Sequence, residues 1–217
     1  MKRLKIITCP EKKLHFRDIR QDILIPKEFS EELAEFTGAM LGDGHVSPTQ
    51  IIITVNTSET DYLRHLNTLM MSLFGVRAHT AKKSSEINAV DTYIGSTKLV
   101  KFFMDMGLVG NKVKMQVGVP KWIYAKREYI KGFLRGFFDT DGSIYKLRFG
   151  VQVSYKNASA PLLRSTREML LTLGYTPSKV SYRTLYLTRQ QDLKRFFEEI
   201  RPGNKKHIER AIKFGII

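Results

Sequence analysis

The chain has 217 residues, which is enough for one good hydrophobic core or two small ones. Its 36 Lys and Arg residues outnumber 21 Asp and Glu residues and give a net charge of +15, which favours a polyanionic partner, most simply nucleic acid. The single cysteine, Cys9, excludes a disulfide framework, and the basic first eight residues hold too short an apolar run for a secretory signal. We therefore expect a soluble intracellular protein, cytoplasmic or in an organelle.

Residues 1–28 form a basic extension, either an arm that runs along phosphates or an ordinary solvated terminus. A first half-domain is predicted over residues 29–120, and its first helix begins after Ser30 as N-cap. The elements expected after this helix are an alternating strand (45–56), a helix with a capping box at 58–61 that ends at Gly75, a hairpin (76–83 and 87–95) and a short helix ending near Gly107.

A second half-domain is predicted over residues 121–217, because the same order of elements returns. The expected elements are a second apolar helix (129–138), a strand (148–154) with Phe149, Val151 and Val153 on one side, a helix opened by Ser159 and Pro161 and ended by Gly174, a basic hairpin (179–187), a helix through Leu193, Phe196 and Ile200, and one extra helix (205–214). We therefore interpret the chain as a duplicated unit.

The duplication is clearest in two nonamers, Phe36–Gly44 and Leu134–Gly142, whose aspartates Asp43 and Asp141 lie 98 positions apart (141 − 43). Each nonamer belongs to an apolar helical pattern with a small residue at every fourth position, namely Ala34, Gly38 and Gly42 in the first and Gly132, Gly136 and Thr140 in the second. Glycine destabilises a helix by about 0.5–1 kcal/mol relative to alanine. The stripes therefore predict that the two helices pack closely on each other.

This packing would bring Asp43 and Asp141 together at the C-terminal ends of their helices. A helix C-terminus disfavours an anion, so paired carboxylates there indicate a hard divalent cation between them. The alternative for a single copy is that Asp-Gly only ends the helix in a turn.

The two nonamers resemble the motif of the LAGLIDADG homing endonucleases, in the single-chain type that carries two copies. The second copy is a close match, and the first keeps Gly38, Asp43 and Gly44 but has Leu41 in place of an acid. The resemblance implies an α+β fold of two similar halves. The motif helices would pack at a pseudo-two-fold axis, and each half would carry a curved antiparallel sheet that forms a saddle for DNA.

The resemblance also implies that Asp43 and Asp141 bind catalytic Mg²⁺ or Mn²⁺, with the carbonyl groups of Gly42 and Thr140 as further candidate ligands. Asn56 would lie near the scissile phosphate, with Tyr155 or Lys156 in the corresponding place of the second half; the alternative is an ordinary strand-end residue. Lys112 and Lys205 share a Gly-Asn-Lys context and are candidate catalytic residues or plain surface lysines, with Lys114 an equal competitor of Lys112.

Polar side chains on the predicted hairpins are candidates for contacts to bases and phosphates, since a two-stranded ribbon fits the major groove. They are Gln50, Thr54, Arg77, His79, Lys82, Lys146, Arg148, Gln152, Lys156, Lys179, Tyr182 and Arg183.

The resulting hypothesis is a monomeric, site-specific, magnesium-dependent endonuclease that cuts both strands of duplex DNA. The resemblance implies a gene in an intron, an intein or a free-standing frame, and we do not expect an intein because no splicing domain flanks the unit. The alternatives are an intron RNA maturase or a non-cleaving DNA-binding protein on the same fold, and a basic duplicated protein with a structural role.

Overall fold

The computed structural model describes residues 22–82, 87–108 and 115–217, so the predicted basic extension lies mostly outside the described residues. The first half contains the elements α1 (Glu31–Leu41), β1 (Gly44–Val46), β2 (Gln50–Asn56), α2 (Thr60–Phe74), β3 (His79–Lys82), β4 (Ala89–Gly95) and α3 (Thr97–Asp105). A 3₁₀ helix (Lys121–Ala125) follows, and then α4 (Arg127–Asp141), β5 (Gly142–Leu147), β6 (Gly150–Lys156), α5 (Ala160–Thr172), β7 (Thr184–Leu187), α6 (Gln190–Glu199) and α7 (Lys205–Lys213).

The ends of several helices are set by the residues that the sequence indicated. The Ser30 hydroxyl accepts a hydrogen bond from the Leu33 N–H at 3.1 Å and begins α1. Ser159 caps α5 in the same way, and Gly75 ends α2 in the left-handed conformation with φ of 70°. The capping box predicted at residues 58–61 is wrong, because the Ser58 hydroxyl instead donates to Asn56 Oδ1 at 2.8 Å.

Two antiparallel sheets lie on either side of the motif helices, in strand orders β1-β2-β4-β3 and β5-β6-β7. In β2 the side chains of Ile51, Ile53 and Val55 are buried, while those between them are half-buried or exposed, as the alternation predicted. The helices cover one face of each sheet and leave the other face open. The mixed α+β fold of two sheets and a central helix pair is therefore confirmed.

Helices α1 and α4 pack backbone to backbone along the glycine stripes. A Cβ atom added to Gly38 would clash with the Phe133 carbonyl and lie 2.8 Å from the Phe137 nitrogen. A Cβ atom on Gly136 would clash with the Glu35 carbonyl and lie 2.9 Å from the Ala39 nitrogen. Because side chains are absent from this contact, the two helices approach more closely than helices with larger residues could.

The second sheet differs from its prediction in two places. Strand β6 begins at Gly150, so Phe149 is not a buried strand residue and its side chain is 90% exposed. The hairpin predicted at residues 179–187 turns between Ser181 and Thr184, but only its second arm is a strand, β7. On the first arm, the Ser178 hydroxyl accepts the Tyr186 N–H that a partner strand would bind. The second sheet has three strands, one fewer than the first sheet.

The longest helices in the described residues have 15 residues, whereas a membrane span needs about 20. Throughout this part of the chain, every helix falls short of the length and apolar character that a membrane span requires.

Candidate catalytic centre and nucleic-acid interface

The C-terminal ends of α1 and α4 lie side by side. A Cβ atom on Gly42 would collide with the Thr140 hydroxyl, so these two residues are in direct contact across the helix pair. Asp43 follows Gly42 in an exposed turn, and Asp141 is the last residue of α4 and is half-buried. The two predicted metal ligands therefore belong to neighbouring chain segments at one end of the helix pair.

The Thr140 hydroxyl bonds within its own helix. Its single proton is shared between the carbonyl groups of Gly136 and Phe137, each at 3.1 Å. The ligands that the sequence suggested at Gly42 and Thr140 are the main-chain carbonyl oxygens of these two residues.

Asn157 holds the Asp141 carboxylate and was missed by the sequence analysis. Its Nδ2 donates to Asp141 Oδ2 at 2.5 Å, and its Oδ1 accepts the Ser159 N–H at 2.7 Å. The Ser159 N–H orients the amide, and the amide in turn orients the carboxylate. Asn157 is thus a positioning residue for Asp141.

Asn56 makes the same local turn in the first half. Its Oδ1 accepts the Ser58 N–H at 3.0 Å, two residues ahead, as in an Asx-turn. Both strands thus end in an Asn-x-Ser pattern, Asn56-Thr57-Ser58 and Asn157-Ala158-Ser159. This repeat is the signal that could have identified Asn157.

The residues that were predicted to correspond to Asn56 occupy other places. Tyr155 pairs with Gly142, is 1% exposed and donates its hydroxyl to the Leu134 carbonyl at 3.1 Å, so the prediction that it lies at a phosphate is wrong. Lys156 is exposed on the open face. The register places Lys156 beside Asp141, where Thr54 lies beside Asp43 in the first half.

Asp139, two residues before Asp141, anchors a distant loop. It is 1% exposed, and its two oxygens accept the N–H groups of Gly203 at 2.8 Å and Asn204 at 3.1 Å. Burial raises its pKa to about 7, opposed by these two backbone hydrogen bonds. Asp139 is therefore an anchor and not a ligand that faces the surface.

The loop anchored by Asp139 continues into Lys205 and binds the first half. Asn204 Nδ2 donates to Glu59 Oε2 at 2.7 Å, and Lys205 Nζ contacts Asp61 Oδ2 at 2.8 Å. Lys205 directly follows Asn204, which binds Asp139 near the end of α4, and the Lys205 side chain is 62% exposed. The other candidates of this type, Lys112 and Lys114, lie outside the described residues.

An ion-pair network joins the two motif helices away from their acidic ends. Arg135 donates to Glu35 Oε2 and to Glu31 Oε1, both at 2.7 Å, and Glu35 also pairs with His65. Burial raises the pKa of Glu35, but the hydrogen bond from His65 and the charge of Arg135 outweigh it and hold that pKa below its ordinary value. The network therefore fixes the relative rotation of α1 and α4.

The open face of the first sheet carries part of the predicted interface. Gln50, Thr54 and His79 lie on it, with the Thr54 hydroxyl donating to Asp91 Oδ1 at 2.7 Å. Lys82 pairs with Val90 and lies on the helix-covered side at the sheet edge, and Arg77 is exposed before β3. The structure adds His45, Ile52 and Tyr93 to this face, where they form a row across the four strands with His79.

The open face of the second sheet is concave and adjoins Asp141. Its lining residues are Thr140, Asp141, Gly142, Ser143, Tyr145, Ser154, Lys156, Thr184 and Tyr186. Gln152 lies on the same face and donates to the Tyr145 hydroxyl at 2.6 Å. Lys146 pairs with Val151 and lies on the opposite face, while Arg148 is at the β5–β6 turn and Tyr182 and Arg183 are at the turn before β7. Lys179 is exposed beside Ser178.

The acidic ends of the helices do not form a complete protein cage for a metal. Across residues 22–82, 87–108 and 115–217, no group of three or more His, Cys, Asp or Glu side chains is arranged to hold a metal ion. Carbonyl oxygens, water and a bound phosphate would have to supply the remaining ligands of a cation at Asp43 and Asp141.

Known proteins share this fold. Residues 128–201 match the family described as LAGLIDADG-like domain. A structure of I-DmoI in complex with DNA and Mn has a TM-score of 0.54 at 19% identity, covering 78% of this chain and 96% of that chain. The N-terminal LAGLIDADG domain of DUF199/WhiA has a TM-score of 0.55 at 18% identity, covering 78% and 82%. The chain therefore has the fold of the LAGLIDADG homing endonucleases. The matched residues 128–201 include the second nonamer, so the family resemblance of that copy is confirmed.

Curated relatives carry unrelated names. A replication factor C small subunit of Thermococcus kodakarensis is 25% identical over 187 residues, which are 84% of this chain and 21% of that protein. An A-type ATP synthase subunit of Pyrococcus abyssi is 32% identical over 121 residues, 55% and 11% respectively. A probable translation initiation factor IF-2 of Thermococcus kodakarensis is 29% identical over 197 residues, 87% and 16%. The chain thus spans about a fifth or less of these relatives.

Proposed function

We propose that this protein is a divalent-metal-dependent endonuclease that cuts both strands of a specific duplex DNA site. The observation that supports this most directly is the contact of α1 and α4 along their glycine stripes, with Gly42 on Thr140. That contact puts Asp43 and Asp141 on adjacent segments, between the open faces of two sheets. The half-domains 29–120 and 121–217 would each read one half of the site.

The residues at the helix ends suit a hard divalent cation. Asp43 and Asp141 offer carboxylate oxygens, and Gly42 and Thr140 offer carbonyl oxygens. Magnesium is usually held by one or two carboxylates together with water and substrate phosphates, and seldom by a cage of protein ligands alone. When bound, such a cation would activate a water molecule and stabilise the leaving oxygen.

The surrounding side chains would position DNA and the acids. Asn157 fixes the orientation of the Asp141 carboxylate through its 2.5 Å hydrogen bond. Asn56 ends the strand beside Asp43, and Lys156 and Lys205 bring positive charge to the same end of the helices. Cationic side chains here would neutralise backbone phosphates and fix the register of the duplex.

The two open sheet faces would lie in the grooves of the DNA. Gln50, Gln152 and the histidines of the first sheet offer donors and acceptors for base edges, and the net charge of +15 provides the sequence-independent attraction. I-DmoI, whose fold this chain shares, has been solved with DNA and with Mn or Ca. These complexes support DNA and a divalent cation as the partners of this chain. A single chain already holds both acids, which supports action as a monomer.

The relatives with unrelated names support an activity that belongs to the shared segment itself. The segment recurs in proteins called a replication factor, an ATP synthase component and a translation factor. No single activity suggested by these names fits all of them. A nuclease carried as a separate module is compatible with each.

The second candidate function is nucleic-acid binding without cleavage, to DNA or to intron RNA. The fold also occurs in the N-terminal LAGLIDADG domain of DUF199/WhiA, so the fold alone does not decide between cutting and binding. Both acids are present in this chain, which favours cleavage.

The proposal is tested by incubating the protein with a randomised duplex library in magnesium and sequencing new ends. Asp43→Asn and Asp141→Asn are compared with Asp105→Asn, a matched control because Asp105 is also the last residue of a helix. We expect staggered ends at one long motif, lost in the first two variants and retained in the control. Cleavage that survives in both variants would overturn the assignment of the acids. Specific retention without cleavage, or preference for structured RNA, would support the second candidate.

A further inference from the structure

A two-residue turn before β7 has an unusual backbone for its sequence. Tyr182 and Arg183 have φ angles of 46° and 61°, in the left-handed region. Ser181 and Thr184 exchange two backbone hydrogen bonds, of 2.9 and 2.8 Å, across them. This is the geometry of a tight hairpin turn in which Asn-Gly is the favoured pair, because both central residues need positive φ. A bulky tyrosine in that conformation is an outlier.

Packing does not account for the strained turn. The Tyr182 side chain is 98% exposed, and Arg183 is exposed as well. Burial therefore cannot compensate for the unfavourable backbone. The two backbone hydrogen bonds between Ser181 and Thr184 hold the turn in place, and residues held in such strained conformations cluster at functional sites.

The turn lies next to the proposed catalytic centre. The Asn157 N–H donates to the Arg183 carbonyl at 3.1 Å, and the Asn157 side chain donates to Asp141. Thr184, which closes the turn, lines the concave face together with Lys156 and Asp141. The turn therefore forms the rim of the concave face at its catalytic end.

The other turn of this sheet provides a contrast. Phe149, 90% exposed, follows Arg148 at the β5–β6 turn. The register places that turn at the far end of the strands from Gly142, which pairs with Tyr155. Both turns therefore present an arginine and an exposed aromatic ring, but only one of them adjoins Asp141.

We propose that Tyr182 is a wedge that stacks on a base at an opened step of duplex DNA beside the phosphate cut at Asp141, while Arg183 binds the adjacent backbone. This inference rests on the proposed function. A ring held on a tight turn loses little conformational entropy on binding, and side chains inserted at a base step unstack it and kink the duplex. Pyrimidine–purine steps open most easily, so the wedge selects such a step without hydrogen bonds to the bases.

The test uses the cleavage site found with the randomised library. The protein is bound to that duplex in EDTA, so that the DNA stays intact, and treated with permanganate, which oxidises thymines that have lost stacking. We expect a reactive thymine at one step near the cut. Tyr182→Ala should lose this reactivity, and Tyr182→Trp should keep it. Phe149→Ala, the matched control, should leave it unchanged.

Affinity and sequence preference provide the second measurement. Since stacking on an aromatic side chain is worth about 5- to 150-fold in affinity per base, Tyr182→Ala should weaken binding within that range and lose the preference for a pyrimidine–purine step. Thermal unfolding of each variant shows whether the fold is retained.

The outcomes separate this inference from the proposed function. If the wild-type protein cuts DNA but Tyr182→Ala keeps the reactive thymine and the step preference, Tyr182 is not a wedge. The proposed endonuclease function would be unaffected by that result. If the wild-type protein binds its site without cutting, the permanganate comparison still decides on the wedge. Absence of any duplex binding would overturn both.

Discussion

The first motif copy carries Leu41 where the second carries Asp139, and the two side chains are used differently. Leu41 is 1% exposed and belongs to the core. Asp139 is equally buried but accepts two backbone N–H groups from the loop at Gly203 and Asn204. The acid at this position is thus not needed to pack the helices. It connects the second motif to a loop that in turn contacts Glu59 and Asp61 of the first half.

The helix contact itself is shared by both copies, and breaking it should have the largest effect. Gly38→Ala places a methyl group against the Phe133 carbonyl and the Phe137 nitrogen, which are backbone atoms that cannot move aside. We expect a loss of about 3 kcal/mol in the free energy of unfolding, measured by chemical denaturation. Gly118→Ala is the control, since its nearest neighbour would be 3.8 Å away. Equal stability of the two variants would show that the contact tolerates a side chain.

Asp139→Leu makes the second copy resemble the first. The N–H groups of Gly203 and Asn204 would lose their acceptor, and each buried unsatisfied group costs about 1–3 kcal/mol. We expect a loss of about 2 kcal/mol on the same scale, because Gly203 is only half-buried and water can reach its N–H. Asp139→Asn keeps one acceptor oxygen and should lose less. A fully stable Asp139→Leu protein would mean that the loop docks without the acid.

Asn157→Ala removes the group that orients Asp141. Partners of this kind typically contribute about 10- to 100-fold to metal affinity or activity. We expect slower cleavage of one strand, seen as accumulation of nicked plasmid carrying the target, with unchanged folding. Asn56→Ala provides the comparison in the first half. Nicking of both strands at equal rates would contradict a role specific to Asp141.

The extra helix α7 distinguishes the second half in a further way. Its His207 is fully buried, its ring lies 4.4 Å from that of Phe138, and neither ring nitrogen meets hydrogen-bond geometry. Burial, reinforced by the charge of Lys206, lowers the pKa of His207 to about 3, while the nearby carbonyls of Asp139 and Phe138 oppose the shift. The unfolded chain therefore binds a proton between pH 6.5 and 3 that the folded chain does not.

His207→Leu should abolish this difference. Between pH 6.5 and 3 the wild-type protein loses up to about 1.4 kcal/mol of stability per pH unit through this group as the pH falls. The variant should therefore gain stability relative to the wild type as the pH is lowered from about 7 to about 5, measured by denaturation at each pH. A difference that does not change with pH would show that His207 takes up its proton as readily in the folded protein as in the unfolded chain.

Local chemistry in the sequence sufficed for much of the fold. The glycine stripes predicted the helix contact, and the caps at Ser30, Gly75 and Ser159 predicted helix ends. Both kinds of signal can be recognised within a few neighbouring residues of the sequence. The two aspartates could be named for the same reason, since each directly follows its stripe.

What the sequence analysis missed depends on distant partners. Asn157 holds Asp141 only because the strand register returns it to the end of α4, and Tyr155 was placed at a phosphate because that register was unknown. Ser178 pairs with Tyr186 partly through its hydroxyl, which hydrophobic alternation in the sequence cannot show. The Tyr182-Arg183 turn lacks every residue that normally marks positive φ.

The backbone contact between α1 and α4 also determines what can vary in this protein. Helices that meet through side chains shift when those side chains are exchanged, whereas helices that meet through main-chain atoms have a spacing set by covalent geometry. The distance between Asp43 and Asp141 should therefore not change when residues of either sheet are replaced. Under the proposed function, replacing residues on the open faces would change the DNA sequence that is bound, while the number of base pairs between the two cuts should stay the same.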